Sequence, residues 1–139
     1  MTPRARSALA LSVMALALLV EGCVAVAVGA AAAAGGASAA VYRRGWYRAA
    51  VQSPHYLVDK ALRRTAQRAR LNERERICDG TKSSYIYQDL RDVKVKVKLR
   101  ASTPDATKVY IRVGFLGDRV SSQELFQGLQ DDIGALEKR

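Results

Sequence analysis

The sequence predicts an α+β domain, an antiparallel β-sheet of about five strands with two helices on one face, in the order β-α-β-β-β-β-α. Three observations predict it. Val93, Val95, Val97 and Leu99 alternate with Lys94, Lys96, Lys98 and Arg100, the two-residue period of a strand with one buried face. Val109, Ile111 and Val113 repeat that period around Tyr110 and Arg112. Two other stretches, Leu57 to Ala69 and Leu125 to Leu136, place apolar residues three and four apart, the period of a helix with one packed stripe. Strands joined by short turns pair antiparallel, and such a sheet can leave one face in water.

Each element has its own signal. Trp46 to Val51 reads as the first strand, with Trp46 or Tyr47 as its aromatic core residue. Ser53-Pro54 then reads as a helix start, Ser as the cap and Pro at the first helical position. Along that helix Leu57, Val58, Ala61, Leu62, Thr65, Ala66 and Ala69 form one side. Lys60, Arg63, Arg64, Gln67 and Arg68 form the other. Leu71 to Cys78 reads as a weak strand, Asp79-Gly80 as a turn, and Ser84 to Gln88, with Tyr85 and Tyr87, as the next strand. The strand of Val93 to Arg100 follows the Asp89 to Asp92 turn, and a loop holding Pro104 and Asp105 leads to the last strand, closed by Gly114 and Gly117. Ser121 and Glu124 have the spacing of a capping box for a final helix with Leu125, Phe126, Leu129, Ile133 and Leu136 inward.

The chain has 139 residues, which leaves room for one modest domain over residues 45–139 and excludes a multidomain enzyme, a dinucleotide-binding fold and a solenoid. What precedes the domain reads as export machinery. Arg4 and Arg6 form a basic start, and Ala8 to Val20 forms an apolar run short for a membrane span but suited to a signal peptide. The run ends at Val20-Glu21-Gly22-Cys23. A thiolate can take a diacylglyceryl group as a thioether, and a small residue before it admits the peptidase. Residues 1–22 are therefore expected to be a lipoprotein signal peptide and Cys23 the acylated residue. Glu21 stands where a small uncharged residue is usual. Residues 23–44 are expected to be an Ala/Gly-rich tether or membrane-proximal helix, since Ala contributes little transfer free energy and Gly weakens a helix.

Charge is divided unevenly. Residues 42–100 carry 16 cations against 6 anions, whereas residues 101–139 carry 5 against 6. The aromatic and basic run Tyr42, Arg43, Arg44, Trp46, Tyr47 and Arg48 suits a headgroup layer. Candidate anion-binding residues are Arg63, Arg64 and Arg68 on the helix with Lys94, Lys96 and Lys98 on the strand; the bland reading of the strand cations is the wet side of a half-buried sheet. His55 is the one histidine and Cys78 the one cysteine besides Cys23, so Cys78 and His55 are the nucleophile and base the chain could pair, with no supporting motif beside either. No metal site, cofactor or small-molecule substrate is expected, because His, Cys and carboxylates do not cluster at ligand spacing.

The Gly22-Cys23-Val24-Ala25-Val26 start, the Ala/Gly run, the Trp46 to Val51 strand, the Asp79-Gly80 turn and the Arg112-Val113-Gly114-Phe115-Leu116-Gly117-Asp118 segment before a helix resemble a family of small bacterial lipoproteins, domain of unknown function 3568. The resemblance covers the chain from Cys23 to about Ile133. It implies a lipid-anchored protein of the bacterial cell envelope, on the periplasmic face of the outer membrane, and carries over no functional residue except Cys23. The expectation is a non-catalytic accessory or interaction domain. It is held to the membrane through a lipid anchor at Cys23 and meets envelope proteins. The alternative is a binder of anionic ligands, phospholipid headgroups or surface polyanions, with nucleic acid the weakest of these because the chain is exported.

Overall fold

The computed structural model describes residues 38–139; the segments read as signal peptide and tether, up to residue 37 and with Cys23, lie outside the described residues. Six strands and two helices follow one another as β1 (Ser38–Arg43), β2 (Trp46–Val51), α1 (His55–Arg68), β3 (Asn72–Asp79), β4 (Lys82–Gln88), β5 (Lys94–Thr103), β6 (Ala106–Val113) and α2 (Arg119–Glu137). All neighbours in the sheet are antiparallel, in the order β1-β2-β6-β5-β4-β3. The α+β class and the element order are as the sequence predicts, with one strand more than the expected five or so.

The extra strand is β1, so the fold starts inside the stretch read as tether, seven residues before the expected boundary at residue 45. It pairs with β2 through a two-residue turn, Arg44 at φ 52° and Gly45 at φ 78°. Positive φ at both turn residues matches the right-handed twist of the flanking strands. Arg44 carries that conformation without being Gly, Asn or Asp, which hid the hairpin from a sequence reading.

The core lies between the sheet and the helices. Val95, Val97 and Leu99 on β5 and Val109 and Ile111 on β6 are buried against Leu62 of α1 and Phe126, Leu129 and Ile133 of α2. Leu57, Val113 and Leu125, expected inside, are partly buried at the margin, and Val93 precedes β5 and is half-buried. Tyr47, not Trp46, is the aromatic core residue of β2, and its ring meets Phe126 at 5.3 Å between centroids. Tyr85 and Tyr87 stack on the same inner face, centroids 5.6 Å apart.

Both helix starts differ from expectation. Pro54 is itself the cap position of α1, without a side-chain cap bond, and Ser53 donates its hydroxyl to Glu137 of α2. α2 starts two residues before Ser121, with Asp118 as its cap: Asp118 Oδ1 accepts from the Val120 and Ser121 amides at 2.9 and 3.2 Å. A carboxylate is the stronger acceptor, and Ser121 becomes its donor, Oγ to Oδ2 at 3.0 Å. Those bonds from Ser121 and Val120 hold the Asp118 carboxyl below its ordinary value. Between the helices, the buried Asp132 accepts from Thr65 Oγ1 and Arg68 Nη2, each at 2.6 Å.

Leu99 and Leu129 are 1% and 0% exposed and sit on opposite sides of this core. Leu99→Ala and Leu129→Ala should each cost about 2–5 kcal/mol in urea unfolding. Midpoints unchanged in both variants would contradict the assignment of the inner face.

Candidate functional site

Period-two alternation that sends valines to the helices sends cations the other way. On β5, Lys94, Lys96, Lys98 and Arg100 are exposed on the face opposite the helices. The register then places Arg112 opposite Lys96, Tyr110 opposite Lys98, and Lys108 opposite Arg100 on β6. Lys82 of β4 stands opposite Arg100 from the other side, and Arg48 of β2 opposite Tyr110. The result is a contiguous basic face across four strands. The carboxylates whose pairing puts them on this face, Glu75 and Asp79, belong to the edge strand β3.

Three of these pairings, Lys96 with Arg112, Arg100 with Lys108 and Lys82 with Arg100, put like charges directly across from one another. Each such juxtaposition opposes pairing by a few tenths of a kcal/mol or so. Among the described residues the salt bridges lie elsewhere: Arg63–Asp59, Arg68–Asp132, Arg76–Glu73 and Arg91–Asp89. None of these salt bridges reaches the cations of the basic face, although the register places Asp79 of the edge strand opposite Lys82. The cations of the face lean on rings instead. Lys98 Nζ lies 5.2 Å and the Arg112 guanidinium 5.8 Å from the centre of the Trp46 ring, and the Arg48 guanidinium lies 6.0 Å from that of Tyr110. Trp46, Tyr110 and Ile77 form the apolar lining, and Arg48, Lys82, Lys98 and Arg100, with Asp79 as the carboxylate among them, the charged lining, of a hollow of about 590 Å³ in this face.

Helix and strand cations do not converge. Arg63, Arg64 and Arg68 belong to α1, on the other side of the sheet from Lys94, Lys96 and Lys98. Two of the three are engaged in the fold. Arg63 pairs with Asp59 at 3.3 Å, one helical turn away, and Arg68 holds Asp132 and the Gly128 carbonyl. The candidate set therefore splits into strand cations, available to a ligand, and helix cations, of which Arg63 is paired within α1 and Arg68 ties α1 to α2. Arg48, Lys82, Lys108 and Arg112 were missed as site residues, because only the pairing register across strands brings them to the face that Lys94, Lys96, Lys98 and Arg100 declare by alternation.

Cys78 and His55 come to the same edge of the molecule but bond to different partners. His55 Nε2 is 3.1 Å from Ser83 Oγ, and Cys78 Sγ is 3.8 Å from the Tyr85 hydroxyl, which donates to Asp59. Burial, then the bond to Asp59, pushes the Tyr85 phenol far above its ordinary value, so it stays a neutral donor. Among the described residues no group of three His, Cys, Asp or Glu side chains could hold a metal ion, and no helix is long and apolar enough to cross a membrane.

A family model described as "Protein of unknown function (DUF3568)" matches residues 6–132. Among curated proteins, none matches this chain.

The division between structural and available cations is measurable. Arg68→Gln strips a charged hydrogen bond from the buried Asp132 and should cost about 1–3 kcal/mol in urea unfolding. Lys96→Gln removes a like-charge neighbour of Arg112 and should leave stability within about 0.5 kcal/mol or raise it. Equal destabilisation by the two would contradict the division.

Proposed function

The chain belongs to the DUF3568 family, and from that premise we propose that it is a bacterial envelope lipoprotein, acylated at Cys23, acting without catalysis as an accessory whose open sheet face binds an extended anionic surface. The anchor reading rests on the basic start, the apolar run and the Gly22-Cys23 that closes it. The observation that carries the binding reading is the set of like-charge cross-strand pairs on β4, β5 and β6, met at the edge by the carboxylate of Asp79 opposite Lys82. A face that served only solvation would gain by alternating signs across the strands. This one keeps a repulsion that folding must overcome and that a polyanion would relieve. Side chains that could do chemistry are engaged in two separate sets between α1, β3 and β4, His55 with Ser83 and Cys78 with Tyr85 and Asp59. That supports a structural role for them.

Two experiments test the two halves. Mass spectrometry of the membrane-extracted protein should find a mature terminus at Cys23 carrying acyl groups; a terminus at Met1, or an unmodified Cys23, would overturn the anchor. Replacing Lys94, Lys96 and Lys98 with Gln preserves the alternation and the buried valines. At about 1 kcal/mol per cation, affinity for dextran sulfate should fall roughly a hundredfold at low salt, while the melting temperature holds. Arg63→Gln with Arg64→Gln should leave that affinity nearly unchanged. Equal binding by the native and triple-substituted chains would mean that the strand cations only solvate the sheet.

A further inference from the structure

We propose that the anionic surface is a lipid bilayer, met by one end of the sheet, where Phe115 and Leu116 enter the interface and the cations beside them hold anionic headgroups. This rests on the anion-binding reading above and adds an apolar contact to it. Phe115 and Leu116 are 89% and 81% exposed, consecutive large side chains at the turn between β6 and α2, and Val120 in the first turn of α2 is 65% exposed. Such a cluster on a small domain calls for a partner.

The turn holds these side chains outward. Gly114 and Gly117 bracket it at φ 75° and 88°, conformations that other residues rarely adopt. The Gly114 amide donates to the Lys94 carbonyl at 2.8 Å, and the Arg112 guanidinium donates to the Phe115 carbonyl. On the other side, Gly117 is packed so closely on the β1–β2 turn that a Cβ there would stand 2.3 Å from the Gly45 carbonyl oxygen. The β5 backbone, the Arg112 side chain of β6 and the backbone of the first hairpin thus fix the projection.

The surroundings identify the occupant by charge. Phe115 lines a hollow of about 580 Å³ with Lys94, Lys96 and Arg112; Asp92 is the carboxylate in that lining. An apolar protein partner would not call for that ring of cations, and a soluble polyanion would not call for two exposed apolar side chains. An anionic bilayer uses both, acyl chains for Phe115 and Leu116 and headgroups for the cations. The anchor permits this pose. The chain joins the sheet at Ser38, at the far end of β1 from the Gly45 turn, and the residues between Cys23 and Ser38 could span on the order of 50 Å if extended.

The test reads depth, so the anchor does not confound it. Full-length chain carrying Trp46→Phe and Phe115→Trp is reconstituted into vesicles of phosphatidylcholine alone or mixed with phosphatidylglycerol, both with acyl-chain-brominated lipid. The indole introduced at position 115 should be quenched about twofold or more in the anionic vesicles relative to the neutral ones. Adding Leu116→Ser, or Lys94→Gln with Lys96→Gln, should return quenching to the neutral level without moving the thermal midpoint, since all these side chains are exposed. In parallel, Trp46 emission of the native chain is followed on adding dextran sulfate. A response of Trp46 to that polymer with no quenching at position 115 would overturn the bilayer contact and leave the anion-binding face. No response in either would overturn both. Equal quenching in neutral and anionic vesicles would overturn the role given to the cations.

Discussion

The two-residue period of β5 is the constraint on which the rest depends. With Val95, Val97 and Leu99 committed to the helices, Lys94, Lys96, Lys98 and Arg100 have no choice but the opposite face. Both helices lie on one side of the sheet, so nothing in the described chain covers that other face. A one-residue slip of β5 would bury four cations against Leu62 and Leu129, which locks the register as firmly as any turn. The neighbouring strands inherit the same division. On β2, Tyr47 and Ala49 pack while Trp46 and Arg48 face out; on β6, Val109 and Ile111 pack while Lys108, Tyr110 and Arg112 face out.

Charge is handled differently on the two sides. On the helix side each embedded charge is matched: Asp132 has Arg68 and Thr65, and Asp59 has Arg63 and Tyr85. Asp132 is buried and without partners would cost several kcal/mol, so Arg68 is part of the fold; Asp59 is half-buried, and its pair with Arg63 contributes less. On the open side exposure keeps each like-charge contact small, and the aromatic rings of Trp46 and Tyr110 lend their faces to Lys98, Arg112 and Arg48. The sheet also protects its outer edge. β3 is exposed throughout, carries Glu73, Arg74, Glu75 and Arg76 in succession, and has an irregularity between Glu73 and Glu75, features that discourage pairing with another chain.

Most of the fold was legible because its strongest signals are periodic. β5, β6 and the packed stripes of both helices follow from the spacing of Val, Ile and Leu, and needed no knowledge of contacts. The misses have physical reasons. β1 is rich in Ala, so its alternation carries no contrast, and its turn uses Arg44 where a Gly or Asn would have announced a hairpin. Ser121 has the spacing of a cap, but Asp118 competes for the same amides with a charge and wins. Arg68 looks like any other cation on the wet side of α1 until its partner Asp132, 64 positions later, is brought beside it. For the same reason only half of the candidate site was legible. Lys94, Lys96 and Lys98 declare their face by alternation, whereas Arg48, Lys82, Lys108 and Arg112 join them through pairing between strands, information that no local stretch contains.

The central claim is that the open face carries a net positive potential, and Trp46, the one tryptophan, stands in it. Collisional quenching of its fluorescence by iodide and by caesium measures that potential directly. Scaled to their action on a free indole, iodide should quench Trp46 several-fold more efficiently than caesium at low ionic strength, and the gap should close as sodium chloride shortens the Debye length to about 10 Å at 0.1 M. Equal scaled constants at low salt, or a preference for caesium, would contradict it.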